Sequence, residues 1–219
     1  MKQLSLRHTP HQANYHRQQG KTGITVLLAL VVIVVVIAVL LVPVINKIPT
    51  QDEEVTATWS QVTNQYQRRA DLVPNLVSTV QGYANQEREV LTQVVEARAK
   101  VAQMQLPKDI LTNPNAFQAF QANQDALSSA LSRLLVVVER YPDLKSNQNF
   151  LTLQSQLEGT ENRIAVARRD YIESVKRYNT TIRTIPGRWV RSIFYPEMTL
   201  KENFTASPGV EAVPQVKFD

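Results

Sequence analysis

The stretch Ile24–Ile45, ITVLLALVVIVVVIAVLLVPVI, decides the fold of this chain. Its 22 residues carry no charge, and as an α-helix they would measure about 33 Å, close to the ~30 Å hydrocarbon core of a bilayer. We therefore predict that residues 24–45 form a transmembrane helix, in which Pro43 is tolerated because it lies in the last turn. The membrane-spanning residues of this helix include Ile24, Leu28, Val32, Val36, Leu40 and Val44.

Two other interpretations of this stretch are weaker. A buried strand can be wholly apolar, but strands usually run for about 4–8 residues. A secretory signal has an apolar region of about 7–15 residues that ends at a cleavage site with small residues. Here the apolar run is longer, and Val42-Pro43-Val44 offers no such site. We therefore expect the stretch to stay in the chain as a membrane anchor.

The formal net charge of +5 points at first to a nucleic-acid partner. The excess is confined to the residues before the span, where Lys2, Arg7, Arg17 and Lys21 face no acidic residue. After Ile45 the chain carries 20 basic and 19 acidic residues, so a broad basic surface is not expected there. We predict that the lipid bilayer is a partner and that nucleic acid is not.

Residues 1–23 have no apolar periodicity, and we predict that they form a disordered, basic, cytoplasmic tail. The positive-inside rule supports this orientation, because the flank before the span is basic and the flank after it is acidic. The charges concerned are Arg7, Arg17 and Lys21 before the span, and Lys47, Asp52, Glu53 and Glu54 after it. The domain that follows is then expected on the opposite side of a bacterial plasma membrane.

From Val55 onward the sequence has a strict helical period. In steps of four and three, 12 of 14 positions are apolar or aromatic, which predicts one long helix packed on other helices. The positions are Val55, Trp59, Val62, Tyr66, Arg69, Val73, Leu76, Val80, Tyr83, Glu87, Val90, Val94, Ala97 and Val101.

Pro74 interrupts this predicted helix. It removes one backbone hydrogen bond, and we expect a kink rather than a loop because the apolar stripe keeps its phase across it. Asp71 would cap a helix that restarted there, and Arg69 is expected to make a polar contact that sets the helix register. The predicted helix-kink motif is Arg68, Arg69, Asp71, Pro74 and Asn75.

Two more stripes follow, Phe117–Tyr141 and Phe150–Ile185, and proline-containing connectors divide them. Short connectors make consecutive helices antiparallel neighbours. The expected fold class is therefore all-α: an N-terminal transmembrane helix followed by a long antiparallel three- to four-helix bundle over residues 50–204. Residues 205–219 are expected to form a flexible C-terminal tail.

The second stripe is about half as long as the first, which leaves the first 20 or so residues of the first stripe without a second-helix partner. This part carries an apolar face that needs a cover, either the C-terminal aromatic residues or another copy of the chain. We predict self-association through this face. Its residues are Val55, Trp59, Val62 and Tyr66.

The chain after the span contains no His and no Cys, which removes the usual zinc ligands and general bases. Glu158 and Glu161 share one helix face, but neighbouring arginines favour ion pairs over a metal site. We predict no catalytic residue, no cofactor site and no metal site. Interhelical polar contacts are expected instead at Glu87, Glu139, Glu158, Glu161 and Arg163.

Several strings of this sequence, in the same order, resemble motifs of the LemA family of bacterial membrane proteins. They are Arg68-Arg69-Ala-Asp71-Leu-Val-Pro74-Asn75, Glu139-Arg-Tyr141-Pro142-Asp143-Leu-Lys145, Asn149-Phe150, Leu157-Glu158-Gly159-Thr-Glu161-Asn162-Arg163-Ile164, Arg168-Arg169-Asp170-Tyr171 and Tyr178-Asn179. The resemblance covers roughly residues 55–204. It departs from the family at Asp170, where an Arg-Tyr-Asn run is more usual, and in the long basic tail before the span.

This resemblance implies one N-terminal span, a helical bundle and no established enzymatic activity. The family also includes a magnetosome protein, which suggests a role in membrane organisation. We therefore expect a membrane-anchored scaffold that forms homo-oligomers. The alternative is an adaptor that docks a membrane protease, a transporter or an envelope protein.

Overall fold

The computed structural model describes the backbone of residues 16–205 and the side chains of residues 23–205. Helix α1, His16–Tyr83, runs unbroken through Pro43, Pro49 and Pro74. It therefore joins the apolar span to the first helix of the bundle, and it begins eight residues earlier than predicted. Most of the predicted tail, residues 1–15, lies outside the described residues.

The span is the first part of α1. From Ile24 to Leu40 its side chains touch little else in the chain, whereas Val44 is half-buried against the bundle. Within the described residues, α1 is the helix long and apolar enough to cross a membrane. A protein with one apolar N-terminal helix of this kind has the form of a single-pass membrane protein.

The sequence predicted that the first apolar stripe forms one helix, but in the structure it is divided between two helices. It breaks after Tyr83, and α2, Arg88–Gln103, folds back along α1. The amide of Glu87 donates to the carbonyl of Ala84 at 3.0 Å and closes the turn. The break was missed because both helices bury the same stripe, so the apolar period continues through the turn.

The remaining helices begin at well-defined caps. Helix α3, Pro114–Val138, starts after Asn113, whose side chain accepts the amide of Ala116 at 3.2 Å. A single turn, α4, Pro142–Lys145, leads to α5, Gln148–Arg183. The side chain of Asn147 caps α5 by accepting the amides of two residues. They are Asn149, at 2.9 Å, and Phe150, at 3.1 Å.

Side-chain contacts fix the direction of each helix against α1. On α5, Glu161 contacts Arg69, whereas the later residue Ser174 contacts Thr58, so α5 runs antiparallel to α1. On α3, Phe120 contacts Trp59 and Gln124 contacts Arg69, so α3 runs parallel to α1. Together with the antiparallel α2, these helices form an up-down-up-down four-helix bundle, which confirms the predicted all-α class.

The core of the bundle consists of two clusters. The cluster nearer the span is aromatic and includes Trp59, Phe117 and Tyr171. The cluster farther from the span is aliphatic and includes Leu76, Leu127 and Leu134. We call the end of the bundle near the span its proximal end, and the other its distal end.

A last helix, α6, Gly187–Phe194, returns to α1 at the proximal end. It packs closely on α5, because a Cβ atom on Gly187 would lie 2.0 Å from the carbonyl oxygen of Thr181. A segment that begins with a turn and forms neither helix nor strand then follows, residues 195–205, which we call the strap. Thr205 is the only residue of the predicted C-terminal tail within the described part, and Gln121 donates to its carbonyl at 2.8 Å.

Candidate functional site

The predicted self-association face is covered by the chain itself. Val55 and Val62 are fully buried, and Trp59 and Tyr66 retain 8% and 4% of their exposure. The prediction that these four side chains form an exposed surface for a second copy is therefore wrong. The sequence had offered the C-terminal aromatic residues as the alternative cover, and they supply part of it.

Trp59 is the centre of this covered face. Its ring centroid lies 5.5 Å from Phe117, 5.0 Å from Phe120, 5.4 Å from Tyr171 and 6.3 Å from Phe204. Tilted rings at these distances bury large apolar areas and add favourable quadrupole contacts. The indole thus joins α1, α3, α5 and the strap in one cluster.

The strap is held by side chains of α5 that donate to its backbone. The hydroxyl of Tyr171 donates to the carbonyl of Glu202 at 2.8 Å, and the hydroxyl of Tyr178 donates to that of Thr199 at 3.1 Å. Asn179 both donates to and accepts from the backbone of Lys201, at 2.9 Å each. These pairs satisfy the backbone of a segment that has no helix or sheet of its own.

Two cationic side chains reinforce the strap. The guanidinium carbon of Arg168 lies 4.4 Å from the ring centroid of Phe204, and Lys201 pairs with Asp52 of α1 at 2.6 Å. The motif strings around Arg168, Tyr171 and Tyr178 are thus the residues that bind the strap.

Burial changes the acidity of these tyrosines. It raises the pKa of Tyr178 from 10.0 to about 12, and it raises the pKa of Tyr171 and of Tyr66 as well. Their hydroxyls therefore stay protonated, and Tyr171 and Tyr178 keep donating to the strap at any physiological pH.

This shift predicts a loss of stability in alkali. The unfolded tyrosines release their protons near pH 10, before the folded ones, so the contribution of Tyr178 is complete below about pH 10 and lost toward about pH 12. We expect the free energy of unfolding to fall less steeply over this window in Tyr178→Phe than in the parent. Thermal unfolding followed by circular dichroism, at pH 7 and through the window, measures this difference. Equal slopes would contradict the assignment.

Arg69 forms a buried polar layer between three helices. It is 1% exposed, and its Nη1 donates to Ser128 Oγ at 2.6 Å and to Glu161 Oε1 at 3.1 Å. Its Nη2 donates to the carbonyl and to the Oε1 of Gln124, at 3.0 and 2.7 Å. Tyr66 lies 5.0 Å below the guanidinium carbon. The sequence had suggested a register-setting contact for Arg69, but it had not identified Ser128 or Gln124 as partners.

The other members of the predicted kink motif are exposed. Asp71 accepts a hydrogen bond from Gln67 at 2.9 Å, and α1 continues through this point, so there is no restarted helix for Asp71 to cap. Arg68, Pro74 and Asn75 also face away from the core.

Two of the three prolines of α1 free carbonyl groups that other parts of the chain then bind. Pro74 has no N–H for the carbonyl of Ala70, and Arg98 Nε of α2 donates to that oxygen at 3.1 Å. Pro49 likewise leaves the carbonyl of Ile45 free, and the hydroxyl of Tyr195 donates to it at 3.2 Å. Pro74 therefore leaves α1 unbroken and frees a carbonyl to which α2 is hydrogen-bonded.

This pairing predicts coupling between Pro74 and Arg98. Arg98→Ala should lower the free energy of unfolding by about 1–3 kcal/mol, because it leaves a buried carbonyl without a donor. In a Pro74→Ala background the restored N–H can satisfy Ala70, so the same change should be milder by about 1 kcal/mol. A double-mutant cycle by urea unfolding measures this coupling. Lys100→Ala, an exposed change on α2, serves as the control and should be additive with Pro74→Ala.

The predicted interhelical polar contacts have different surroundings. Glu87 accepts from the hydroxyl of Tyr141 at 3.0 Å and pairs with Arg140 at 3.0 Å, which ties the distal turn to the end of α3. Glu161 pairs with Arg69. The other three make local contacts within one helix or to the next turn: Glu139 with Lys145, Glu158 with Gln154, and Arg163 with Thr160.

Within residues 23–205, no group of three or more His, Asp or Glu side chains is arranged to hold a metal ion. Glu158 and Glu161 do not converge, because Glu161 binds Arg69 and Glu158 binds Gln154. The contacts described above stabilise the bundle: they are the Trp59 cluster, the strap, the Arg69 layer and the hydrogen bonds to carbonyls freed by proline.

A comparison with known proteins gives a consistent assignment. Residues 58–218 match the model of the LemA family. The chain is 27% identical over 164 residues to "Magnetosome protein MamQ 2" of Paramagnetospirillum magneticum, an alignment that covers 68% of this chain and 60% of that protein. It is 24% identical over 139 residues to "Protein LemA" of Metamycoplasma hominis, covering 64% and 59% of the two chains. The alignments thus span about 60% of the length of these relatives.

Proposed function

The chain belongs to the LemA family, and from this premise we propose that it is a non-enzymatic, membrane-anchored helical scaffold. In this proposal it forms homo-oligomers at the bacterial plasma membrane and contributes to membrane or envelope organisation. The observation that carries the proposal is the unbroken helix α1, which is at once the apolar span and the first helix of the bundle.

A scaffold needs a fixed geometry between its anchor and its body. The 68 residues of α1 extend over about 100 Å, and its second half is clamped by α2, α5 and α6. No flexible linker separates residue 45 from the bundle, so movement of the anchor is transmitted to the bundle as one body. An enzyme of this architecture would need a catalytic site. The buried polar groups described above instead form hydrogen bonds that stabilise the bundle.

Oligomers would have to form through faces other than the Trp59 face. Copies anchored in one bilayer share one orientation and a high effective concentration, so even small lateral contacts are strengthened. Support for a role in membrane organisation comes from relatives that are named magnetosome proteins.

The mass of the full-length protein in mild detergent tests the scaffold. One chain weighs 24.8 kDa, and light scattering with the detergent contribution subtracted should give a discrete multiple of this value. A strictly monomeric protein would overturn the homo-oligomer.

The second candidate is an adaptor for another membrane protein. It is favoured by a groove of about 420 Å³ between α1 and α5, where Gln65 and Asn162 face the half-exposed Val166. The Oε1 atom of Gln65 is buried and lacks a hydrogen-bond donor in the described part of the chain. A monomer in detergent that is crosslinked in cells from this groove, to a different protein, would support the adaptor.

The proposed orientation leads to a labelling prediction. The chain has no cysteine, so a single one can be introduced without a background. With the bundle outside the cytoplasm, Ser155→Cys, on the exposed face of α5, should react with a membrane-impermeant maleimide in intact cells. Ser5→Cys, before the span, should react only after the cells are permeabilised. The reverse pattern would place the bundle in the cytoplasm.

A further inference from the structure

Helix α6 and the residue Ile185 just before it carry the largest group of neighbouring exposed hydrophobic side chains outside the span, among residues 23–205. Ile185, Trp189, Ile193 and Phe194 are 64%, 59%, 72% and 52% exposed. Trp189 and Ile193 are spaced four residues apart and so share one side of α6, Ile185 lies two residues before the helix, and Val190 is buried against the bundle. An apolar face of this kind on a short helix needs a cover.

The position of α6 indicates what that cover is. Tyr195, directly after α6, donates to the carbonyl of Ile45, and Leu41 and Val44 pack against the same proximal cluster. The distance from Ile24 to Ile45 is about 33 Å, close to the ~30 Å thickness of the hydrocarbon core. The carbonyl that Tyr195 binds therefore lies near the boundary between acyl chains and headgroups.

Helix α5 reaches the same level. Ser174 of α5 lies beside Thr58, and Arg177 pairs with Glu54. Each residue further along α5 therefore lies about one residue closer to the span on α1. Continuing this register brings the end of α5 near the level of Ile48. Residues 185–194 follow directly, so their exposed apolar side chains lie at the end of the bundle that adjoins the span.

The same end of the molecule carries a basic groove. A cavity of about 790 Å³ is lined by Arg183, Arg188 and Arg191, with Glu202 as the one acidic residue among its lining side chains. Arg191 is partly engaged, since its Nε donates to the carbonyl of Met198 at 2.7 Å. Guanidinium groups bind phosphate oxygens through paired hydrogen bonds, and three of them at this depth match anionic lipid headgroups.

We infer that α6 is an interfacial membrane helix, with its Trp189 and Ile193 and the preceding Ile185 inserted at the acyl–headgroup boundary and the arginine groove holding anionic phospholipid headgroups. Tryptophan prefers this boundary because its ring is apolar and its N–H is polar. The span would fix the bundle at one point, and α6 would add a second contact that fixes its tilt. This goes beyond the scaffold itself, since it holds for a monomer as well as for an oligomer.

The two tryptophans of the chain give a direct test. Full-length protein is reconstituted in phosphatidylcholine vesicles whose acyl chains are brominated close to the headgroup, and bromine quenches only nearby indoles. In Trp59→Phe, where Trp189 is the sole tryptophan, we expect most of the fluorescence to be lost. In Trp189→Phe, which retains the buried Trp59, we expect little quenching. If Trp59→Phe does not fold, the parent compared with Trp189→Phe gives the same answer. Equal quenching of the two proteins would overturn the inference.

The headgroup preference is tested by lipid composition. Adding phosphatidylglycerol to the vesicles should shift Trp189 emission further to the blue in the parent, and this shift should be lost in Arg183→Gln/Arg188→Gln. Arg68→Gln, an exposed arginine far from the groove, is the matched control and should keep the shift. If inorganic phosphate in solution produced the same shift without phosphatidylglycerol, or if the double variant kept it, the lipid assignment would be wrong.

Discussion

Replacing Arg69 by alanine should lower the free energy of unfolding by about 3–5 kcal/mol. The side chain is 1% exposed, and its removal leaves a cavity among three helices. It also leaves the carbonyl and amide of Gln124 and the hydroxyl of Ser128 without the donor they now have. Glu161 is 43% exposed and can be solvated, so the loss of its ion pair contributes less than these buried groups do.

The adjacent Arg68 is a matched control, because it has the same side chain on the exposed side of the same helix. Arg68→Ala should change the free energy of unfolding by no more than about 0.5 kcal/mol. Urea unfolding of full-length protein in mild detergent, followed by circular dichroism, compares the two variants. Similar midpoints for Arg68→Ala and Arg69→Ala would show that the Arg69 layer contributes little.

A third variant separates the cavity from the polar groups. Arg69→Met keeps most of the volume but donates no hydrogen bond, so it should lie between the parent and Arg69→Ala. In the Arg69→Ala background, Glu161→Ala should add little, because the contact between the two residues is already gone. A full additional loss would mean that Glu161 acts through another residue.

Much of the architecture can be predicted from the apolar periodicity of the sequence. The uncharged run Ile24–Ile45 predicted the span, and the three-four rhythm predicted an all-α bundle whose helices are divided by proline-containing connectors. Periodicity reports which face of a helix is buried, but not what buries it. For this reason the face around Trp59 was assigned to another copy, although Phe117, Phe120, Tyr171 and Phe204 of the same chain cover it.

The turn at residues 84–87 was hidden for a related reason. A hairpin between two helices that bury the same stripe keeps the apolar phase, and no proline lies in this turn. One signal was available: Glu87, a charged residue on an apolar stripe, marks the position where Tyr141 and Arg140 meet the turn. Pro74, the strongest breaker in the sequence, lies within an unbroken helix because Arg98 binds the carbonyl that it frees.

The polar layer could have been predicted in part from the stripes. Each of the three carries a polar residue at an otherwise apolar position, namely Arg69, Gln124 and Thr160, and all three are buried. Aligning such interruptions would have placed three helices at one level. The donors and acceptors that complete the layer, Ser128 and Glu161, lie beside the stripes and depend on how far each helix is rotated.

Replacing Trp59 by alanine should lower the free energy of unfolding by about 3–5 kcal/mol, as expected for removal of a large buried ring. The exposed Trp189 is the matched control, and Trp189→Ala should change the free energy of unfolding by no more than about 0.5 kcal/mol in detergent. Trp59→Ala should also loosen the strap, because Phe204 loses one of its ring partners. Trypsin should then cut after Lys201, which is shielded beside Asp52 in the parent, and mass spectrometry detects the fragment.

The dependence of the urea midpoint on protein concentration, in the parent and in Trp59→Ala, decides how the Trp59 face is covered. If the face is buried within one chain, Trp59→Ala should lower the urea midpoint by the same amount at every protein concentration, because the change removes no contact between copies. If a second copy covered it, the midpoint of the parent would rise with concentration and Trp59→Ala would abolish that rise. An equal lowering at every concentration, together with a discrete oligomer in detergent, would place the contacts between copies on the outer faces of the bundle or in the span. A midpoint that rises in the parent and not in Trp59→Ala would restore the interface first predicted from the sequence.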